Sequence, residues 1–169
     1  MSHRRTLMTH EPRLTQALRT LLQTSRVAAL GTCHADGTPF VSMVPFAVAA
    51  DIPAVVIHVS ALAPHTRNLQ TASAVSLLIM QAEVAGEGVH ALPRVSLEGT
   101  ARIVDAQSSH GVMARRAYLE RFPEAEPMTQ LGDFMFVAID ISGARQVAGF
   151  GAARTLDTEA IRQVLQPAI

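Results

Sequence analysis

The chain has 169 residues and a formal net charge of zero, with 49% hydrophobic and 17% charged residues. This composition is typical of a folded domain with a sizeable core, and it excludes a disordered chain. Because there is no basic excess, we expect no nucleic-acid partner. The positive mean hydropathy indicates that a second subunit covers some apolar surface, so we expect a homodimer.

The spacing of apolar residues predicts the regular elements. Leu14 and Leu18 recur at the interval of a helical turn, and Ser108 or Ser109 and Asp157 are suitable helix caps. Apolar and β-branched runs between turn residues predict strands. The predicted order is helix 11–24, strands 26–33, 39–48 and 54–59, helix 63–71, strands 74–80 and 94–104, helix 108–121, strands 134–141 and 145–148, and helix 157–165.

Turn residues connect these strands into antiparallel pairs. Asp36-Gly37 predicts a tight hairpin turn, and Gly143 lies in the predicted turn of a final hairpin. Pro45 predicts a bulge or an N–H position that faces away from its neighbours, and Gly99 predicts a bend. Six or seven antiparallel strands with inserted helices indicate an α+β fold built on a β-barrel.

The start of the chain and its cysteine content bear on the compartment. We expect residues 1–12, which are polar, to be a flexible segment ahead of a single domain covering the whole chain. No secretion signal is expected, and no uncharged run reaches the roughly 20 residues that cross a bilayer. The one cysteine, Cys33, is expected to be buried in its strand. We therefore expect a cytoplasmic protein without a membrane partner.

One segment, residues 57–69, combines a strand end with polar residues at a helix start. The first N–H groups of a helix lack partners and attract anions, so Thr66, Arg67 and Asn68 could hold a phosphate there. A second interpretation stays open at this point. Ser60 could cap the helix, and the three polar residues could be its solvated face.

The sequence lacks the motifs that are typical of several other kinds of functional site. The seven histidines and one cysteine show no metal-ligand spacing, so we expect no metal site. There is no nucleophile elbow, no Walker loop and no dinucleotide-binding glycine motif. No pair of carboxylates is placed across a predicted cleft, and the sequence identifies no catalytic residue.

Four segments together resemble a known family, the FMN-binding split barrels related to pyridoxamine 5′-phosphate oxidase, and in particular its haem-utilisation-like branch. The resemblance covers nearly the whole chain from about residue 14. The matching segments are A-A-L-G-T-C-H-A-D-G-T-P-F-V-S-M-V-P (28–45), S-A-L-A-P-H-T-R-N-L (60–69), R-V-S-L-E-G (94–99), and the stretch 118–153 with Y-L-E-R-F-P-E-A, G-D-F-M-F and A-G-F-G-A-A.

The resemblance implies a split barrel that forms a homodimer, with FMN in clefts between the subunits. It implies an FMN-binding flavoprotein, an oxidoreductase acting on an unknown small molecule. The cofactor-binding positions that it implies are Ser42, Met43, Val44, Ser60, His65, Thr66, Arg67, Asn68 and Arg94.

Three departures from the family pattern bear on function. His65 stands where the oxidase has an Arg-Lys pair, and Ser42 or Met43 stands where its second strand has a basic residue. Phosphate would therefore be held more weakly. The chain has no tryptophan, so the substrate signature of the oxidase is absent and pyridoxamine phosphate oxidation is not expected. The alternatives are coenzyme F420 in the same cleft, a haem or tetrapyrrole protein without flavin turnover that uses His58, His65 or His90 as ligand, and a flavin-free scaffold.

Overall fold

A computed structural model describes residues 11–167 as one seven-stranded antiparallel sheet with flanking helices. The strand order is β3-β2-β1-β4-β5-β6-β7, and β3 also pairs with β6, which closes the first six strands into a barrel. The elements are α1 (Arg13–Thr24), β1 (Val27–Cys33), β2 (Pro39–Ala49), β3 (Ala54–Ser60), α2 (Pro64–Thr71), β4 (Ala74–Met80), β5 (Arg94–Ile103), α3 (Ser109–Arg121), a 3-10 helix (Pro123–Gln130), β6 (Phe134–Val147), β7 (Ala153–Leu156) and α4 (Thr158–Leu165). The predicted α+β split barrel is confirmed.

Turns and helix caps form at positions that the local sequence predicts. Gly37 has a φ of 86° in the β1–β2 turn, which Thr38 closes by donating its N–H to the Asp36 carboxylate at 2.9 Å. Ser108 caps α3 by accepting the Gly111 N–H at 3.0 Å. Pro45 lies in regular register opposite Val27, without a bulge. Its missing N–H therefore falls outside the β1–β2 and β2–β3 ladders.

The interior of the barrel is filled by apolar residues from alternate strand positions. Strand β3 is buried on both faces, with residues 54–57 fully inaccessible to water. Leu18 of α1 and Ile161 of α4 join the same interior cluster. A second cluster lies outside the barrel, where Ala114 and Tyr118 of α3 cover the outer side of β3 and β6. Helix α3 thus covers part of the outer wall of the barrel.

The structure corrects three expectations. The predicted hairpin around Gly143 is wrong, because β6 runs without a break and its partner beyond the barrel is β7. The interruption is a bulge: Glu98 pairs with Gly143, whereas Gly99 pairs with Ile141. The 3-10 helix after α3 was not predicted. Cys33 is exposed and not buried, since strand alternation turns it outward.

The predicted flexible segment at the start of the chain lies largely outside the described residues. Residues 1–10 of the predicted flexible segment lie outside the described residues. Between residues 11 and 167, no helix is both long enough and apolar enough to cross a membrane.

Gly99 allows a close approach between β5 and β6. A Cβ at this position would lie 2.5 Å from the Asp140 carbonyl oxygen, a backbone atom that cannot rotate away. We expect Gly99→Ala to lower the free energy of unfolding by about 1–3 kcal/mol, measured by urea denaturation. Gly88→Ala is the control, since nothing lies within 4 Å of its Cβ position. Equal stability of the two variants would contradict this account of the bulge.

Candidate functional site

Helix α2 packs on the end of the barrel next to the β1–β2 hairpin. Ala63 is its N-cap residue and offers no side-chain hydrogen bond. The interpretation of Ser60 as a helix cap is therefore wrong. Ser60 instead accepts the Leu62 N–H and donates its hydroxyl to the Asp133 carboxylate, both at 3.2 Å. It stabilises the loop between β3 and α2.

Five polar side chains meet where α2 contacts the hairpin, and we call them the α2 polar cluster: Thr32, His34, Ser42, His65 and Asn68. Asn68 is buried and donates its amide to the Thr32 hydroxyl at 3.0 Å. Its carbonyl oxygen lies 3.0 Å from Nδ1 of His34 and accepts a hydrogen bond from that nitrogen. The contact fixes the tautomer of His34 and ties α2 to β1.

His65 lies at the exposed side of this cluster. Its Nδ1 is 3.0 Å from the Ser42 hydroxyl, and the ring is half-buried. Burial lowers the pKa of His65 below the ordinary value of 6.5. No hydrogen bond to Nε2 occurs within residues 11–167, so this nitrogen is available to a ligand.

The remaining predicted residues of α2 differ in their accessibility. Thr66 is fully buried and donates its hydroxyl to the Ser60 carbonyl at 2.6 Å. Arg67 is exposed and reaches back to the Leu62 carbonyl at 3.4 Å. The backbone N–H groups of Thr66 and Arg67 both approach the Ala63 carbonyl. Much of the hydrogen-bonding capacity predicted for a phosphate is therefore used within the chain.

Strand β2 contributes to two different surfaces, because its side chains alternate. Ser42 and Val44 turn toward the barrel interior, where Val44 is buried. Met43 turns outward and is 65% exposed. The predicted site residues Ser42, Met43 and Val44 are thus adjacent in sequence but do not share one surface.

Outward residues of β1, β2 and β4 form an apolar face that α3 does not cover. Five large side chains make up this face, each between 37% and 66% exposed: Val27, Val41, Met43, Leu78 and Met80. The register places Met43 and Leu78 on either side of Ala29. A groove of about 630 Å³ crosses the face, within the usual size range of small-molecule sites.

Arg94 lies near the apolar face and away from the α2 polar cluster. It pairs with Met80 across β4 and β5, whereas strands β1 and β4 separate it from β2. Its guanidinium donates to the Leu92 carbonyl at 3.1 Å and to the His90 carbonyl at 3.4 Å. The structure thus brings the α2 residues together and leaves Arg94 on another part of the sheet.

Sequence reasoning missed several of these residues. Thr32 and His34 belong to the cluster through contacts with a residue more than thirty positions away. Leu78 and Met80 could have been found, because strand 74–80 carries apolar residues at both alternating sets of positions. Part of the groove could therefore have been predicted from the sequence.

His58 occupies a different environment, beneath α3. It is 7% exposed, and its ring lies 4.4 Å from that of Phe136 and 5.6 Å from that of Tyr118. Its Nδ1 is shielded from water and makes no hydrogen bond in the described structure. Burial lowers the pKa of His58 and raises the pKa of Tyr118 to about 12.

Comparisons with known proteins agree with this fold, and several of the similar proteins are named for haem. The pyridoxamine 5′-phosphate oxidase family matches residues 14–148. The chain belongs to this family. Within the family, it is 30% identical over 142 residues to the heme oxygenase HutZ of Vibrio cholerae, covering 83% of this chain and 80% of HutZ. It is 34% identical over 140 residues to the chloroplastic heme oxygenase HOZ of Arabidopsis thaliana, covering 82% of this chain and 41% of HOZ.

Two solved structures that are described as heme-binding or heme storage proteins share this fold. A heme binding protein from Mycobacterium smegmatis superimposes with a TM-score of 0.81 at 27% identity, covering 91% of this chain and 62% of that one. HutZ, described as a heme storage protein, superimposes with a TM-score of 0.69 at 27% identity, covering 76% of this chain and 89% of HutZ. The chain therefore spans less than two thirds of the length of HOZ and of the mycobacterial protein.

These relatives correct the expected function. The main expectation, an FMN-dependent oxidoreductase, is wrong: the named relatives are heme oxygenases and heme-binding or storage proteins. Thr66 and Asn68 make hydrogen bonds within the chain, which polar residues at a helix start can do without a ligand. The haem alternative fits the relatives better.

The amide of Asn68 holds two other polar groups of the cluster. We expect Asn68→Ala to lower the free energy of unfolding by about 1–3 kcal/mol, because Nδ1 of His34 loses its acceptor and Thr32 its donor. Urea denaturation measures the change. The matched control is Gln70→Ala on the exposed side of α2, and the account is wrong if both variants unfold at the same urea concentration.

Stability is expected to fall in mild acid. Burial lowers the pKa of His58 and His65 in the folded chain, so the unfolded chain takes up protons first as the pH falls through about 6.5. The contribution of the two neutral imidazoles is complete above this pH and is lost below it. Urea denaturation between about pH 7.5 and pH 5.5 measures the slope. His58→Phe should flatten it, and an unchanged slope in that variant would exclude His58 as a cause.

Proposed function

We propose that this chain is a haem-binding protein that works as a homodimer, with haem on the apolar face. The observation that carries the proposal is the similarity to HutZ over about four fifths of both chains. Haem is then the small-molecule ligand, in place of FMN or F420. The cytoplasm stays the predicted location.

The apolar face fits the chemistry of a porphyrin. Haem is a flat and largely apolar ring, and a groove lined by Val27, Met43, Leu78 and Met80 would bury it among methyl and thioether groups. Methionine adapts its shape to planar ligands. Five large apolar side chains are exposed side by side on this face, and a contiguous apolar patch of this kind supports both a ligand and a second copy of the chain there.

Two arginines lie at the margin of the groove. Arg26 lines it directly, and Arg94 pairs with the groove residue Met80. Arginine binds carboxylates through paired, charge-assisted hydrogen bonds. The two carboxylates of haem would meet these guanidinium groups at the β1 and β5 side of the face, so Arg94 keeps a role in ligand binding under this proposal.

Haem binding by the purified chain tests the proposal. We expect titration with haemin to give a Soret band that saturates at one haem per chain. Met43→Glu should weaken binding by about tenfold or more, because a carboxylate replaces an apolar contact worth about 1.5–3 kcal/mol. Val112→Glu is the matched control, since Val112 is 60% exposed on α3, outside the apolar face. Absence of a saturable Soret band in the unmodified chain would refute haem binding.

The names of the relatives also suggest turnover as a second candidate. HutZ and HOZ are both named heme oxygenases. Loss of the Soret band with release of iron, on adding ascorbate and oxygen to the haem complex, would support oxygenase activity. A stable band under the same conditions would leave haem binding as the function.

A further inference from the structure

The loop between β4 and β5, residues 81–93, begins and ends beside the groove of the apolar face. At its start, Glu83 is one of the residues that line the groove. At its end, the neighbouring Arg94 pairs with the groove residue Met80 and donates to the Leu92 carbonyl at 3.1 Å. Both ends of the loop are therefore held next to the same end of the groove.

Between these two ends, the loop makes few contacts. All residues from 82 to 90 are exposed. A turn at the tip is closed by the Glu87 N–H, which donates to the Val84 carbonyl at 3.0 Å, and Gly86 has a φ of 85° in this turn. A Cβ at Gly86 or at Gly88 would meet no atom within 4 Å. A segment with so little packing changes its position at a low cost in free energy.

The loop also carries apolar side chains beside an apolar groove. Val84 and Val89 are 48% and 45% exposed, and Val84 directly follows the groove residue Glu83. A planar ligand on a sheet face has its second side open to water, so side chains that cover this side gain free energy by burial. A nine-residue segment held at both ends can extend up to about 15 Å from its base, which is enough to cross the edge of such a ligand.

We infer that residues 82–90 form a lid that closes over haem in the groove, with Val84 and Val89 packing on the side of the ring that faces away from the sheet. This inference rests on the proposed haem binding and adds a second wall to the site. Closure follows binding, so the lid slows the release of haem and leaves its association rate unchanged. Arg94 keeps the end of the lid beside the groove through its bonds to the loop carbonyls.

Proteolysis of the full chain measures closure. A glutamate-specific protease should cut after Glu87, which is exposed and lies outside the set of groove-lining residues. Because proteolysis follows the population of the open loop, we expect haemin to slow this cut by about tenfold. Cleavage after Glu124 and Glu126, whose side chains are 65% and 64% exposed on the 3-10 helix, is the internal control and should not change.

The double variant Val84→Ser and Val89→Ser removes the apolar side chains and keeps both glycines of the loop. It should retain a saturable Soret band, lose the protection of Glu87, and release haem to apomyoglobin about tenfold faster than the unmodified chain. The association rate should stay the same. Val112→Ser is the matched control, because Val112 is 60% exposed on α3, outside the apolar face.

The outcomes separate the lid from haem binding itself. Equal release rates in the double variant and the unmodified chain would overturn the lid while haem binding stands. Protection of Glu87 that persists in the double variant would also overturn it, since haem or a second copy of the chain would then cover the loop without the valines. An unmodified chain without a saturable Soret band would overturn both proposals.

Discussion

The pairing of β3 with both β2 and β6 is the constraint on which the other elements depend. It closes the barrel, so the backbone of β3 is hydrogen bonded on both sides, and residues 54–57 are apolar and fully buried. The strand then delivers Ser60 to the barrel end at a fixed position, and the short loop that follows sets the start of α2. The α2 polar cluster exists because this helix is held against the β1–β2 hairpin.

Closure also divides the outer wall of the barrel into two regions. Helix α3 covers the region formed by β3, β6 and the second half of β2, where alanines allow close packing. The other region, on β1, β4 and the first half of β2, carries larger apolar residues, and no helix between residues 11 and 167 covers it in the way that α3 covers the first. A single strand, β2, passes through both regions. Its outward residues change from Met43 and Val41 to Ala47 and Ala49, which fits an open surface followed by a covered one.

The sequence predicted features that depend on neighbouring residues. The Asp36-Gly37 turn, the Ser108 cap and the bend at Gly99 each follow from local backbone preferences. The continuity of β6 does not follow from local preferences. Gly143 was assigned to a turn, but a bulge opposite Gly99 accommodates it within the strand. Exposure of Cys33 depends on which side of β1 faces outward, and both alternating sets of β1 positions contain apolar residues.

The candidate site was harder to predict from the sequence, because its contacts join residues that are distant along the chain. Thr66, Arg67 and Asn68 stand where an anion site was predicted, yet Asn68 binds Thr32 and His34, which are distant in sequence. Short polar side chains at a helix start can form hydrogen bonds either with a ligand or with other groups of the protein. The sequence does not distinguish these two cases. Only the comparison with relatives favours haem over a flavin, because an apolar sheet face can bind either kind of planar ring.

The uncovered apolar face has a thermodynamic consequence if it receives both haem and a second chain. Burial of one face then serves two equilibria, and each of them changes the other by mass action. Haem affinity becomes a function of protein concentration, since dilution that separates the chains also opens the groove to water. Loading with haem would in turn lower the dissociation constant of the dimer by the same factor. The oligomer and the ligand would therefore be gained and lost together in the cell as haem supply changes.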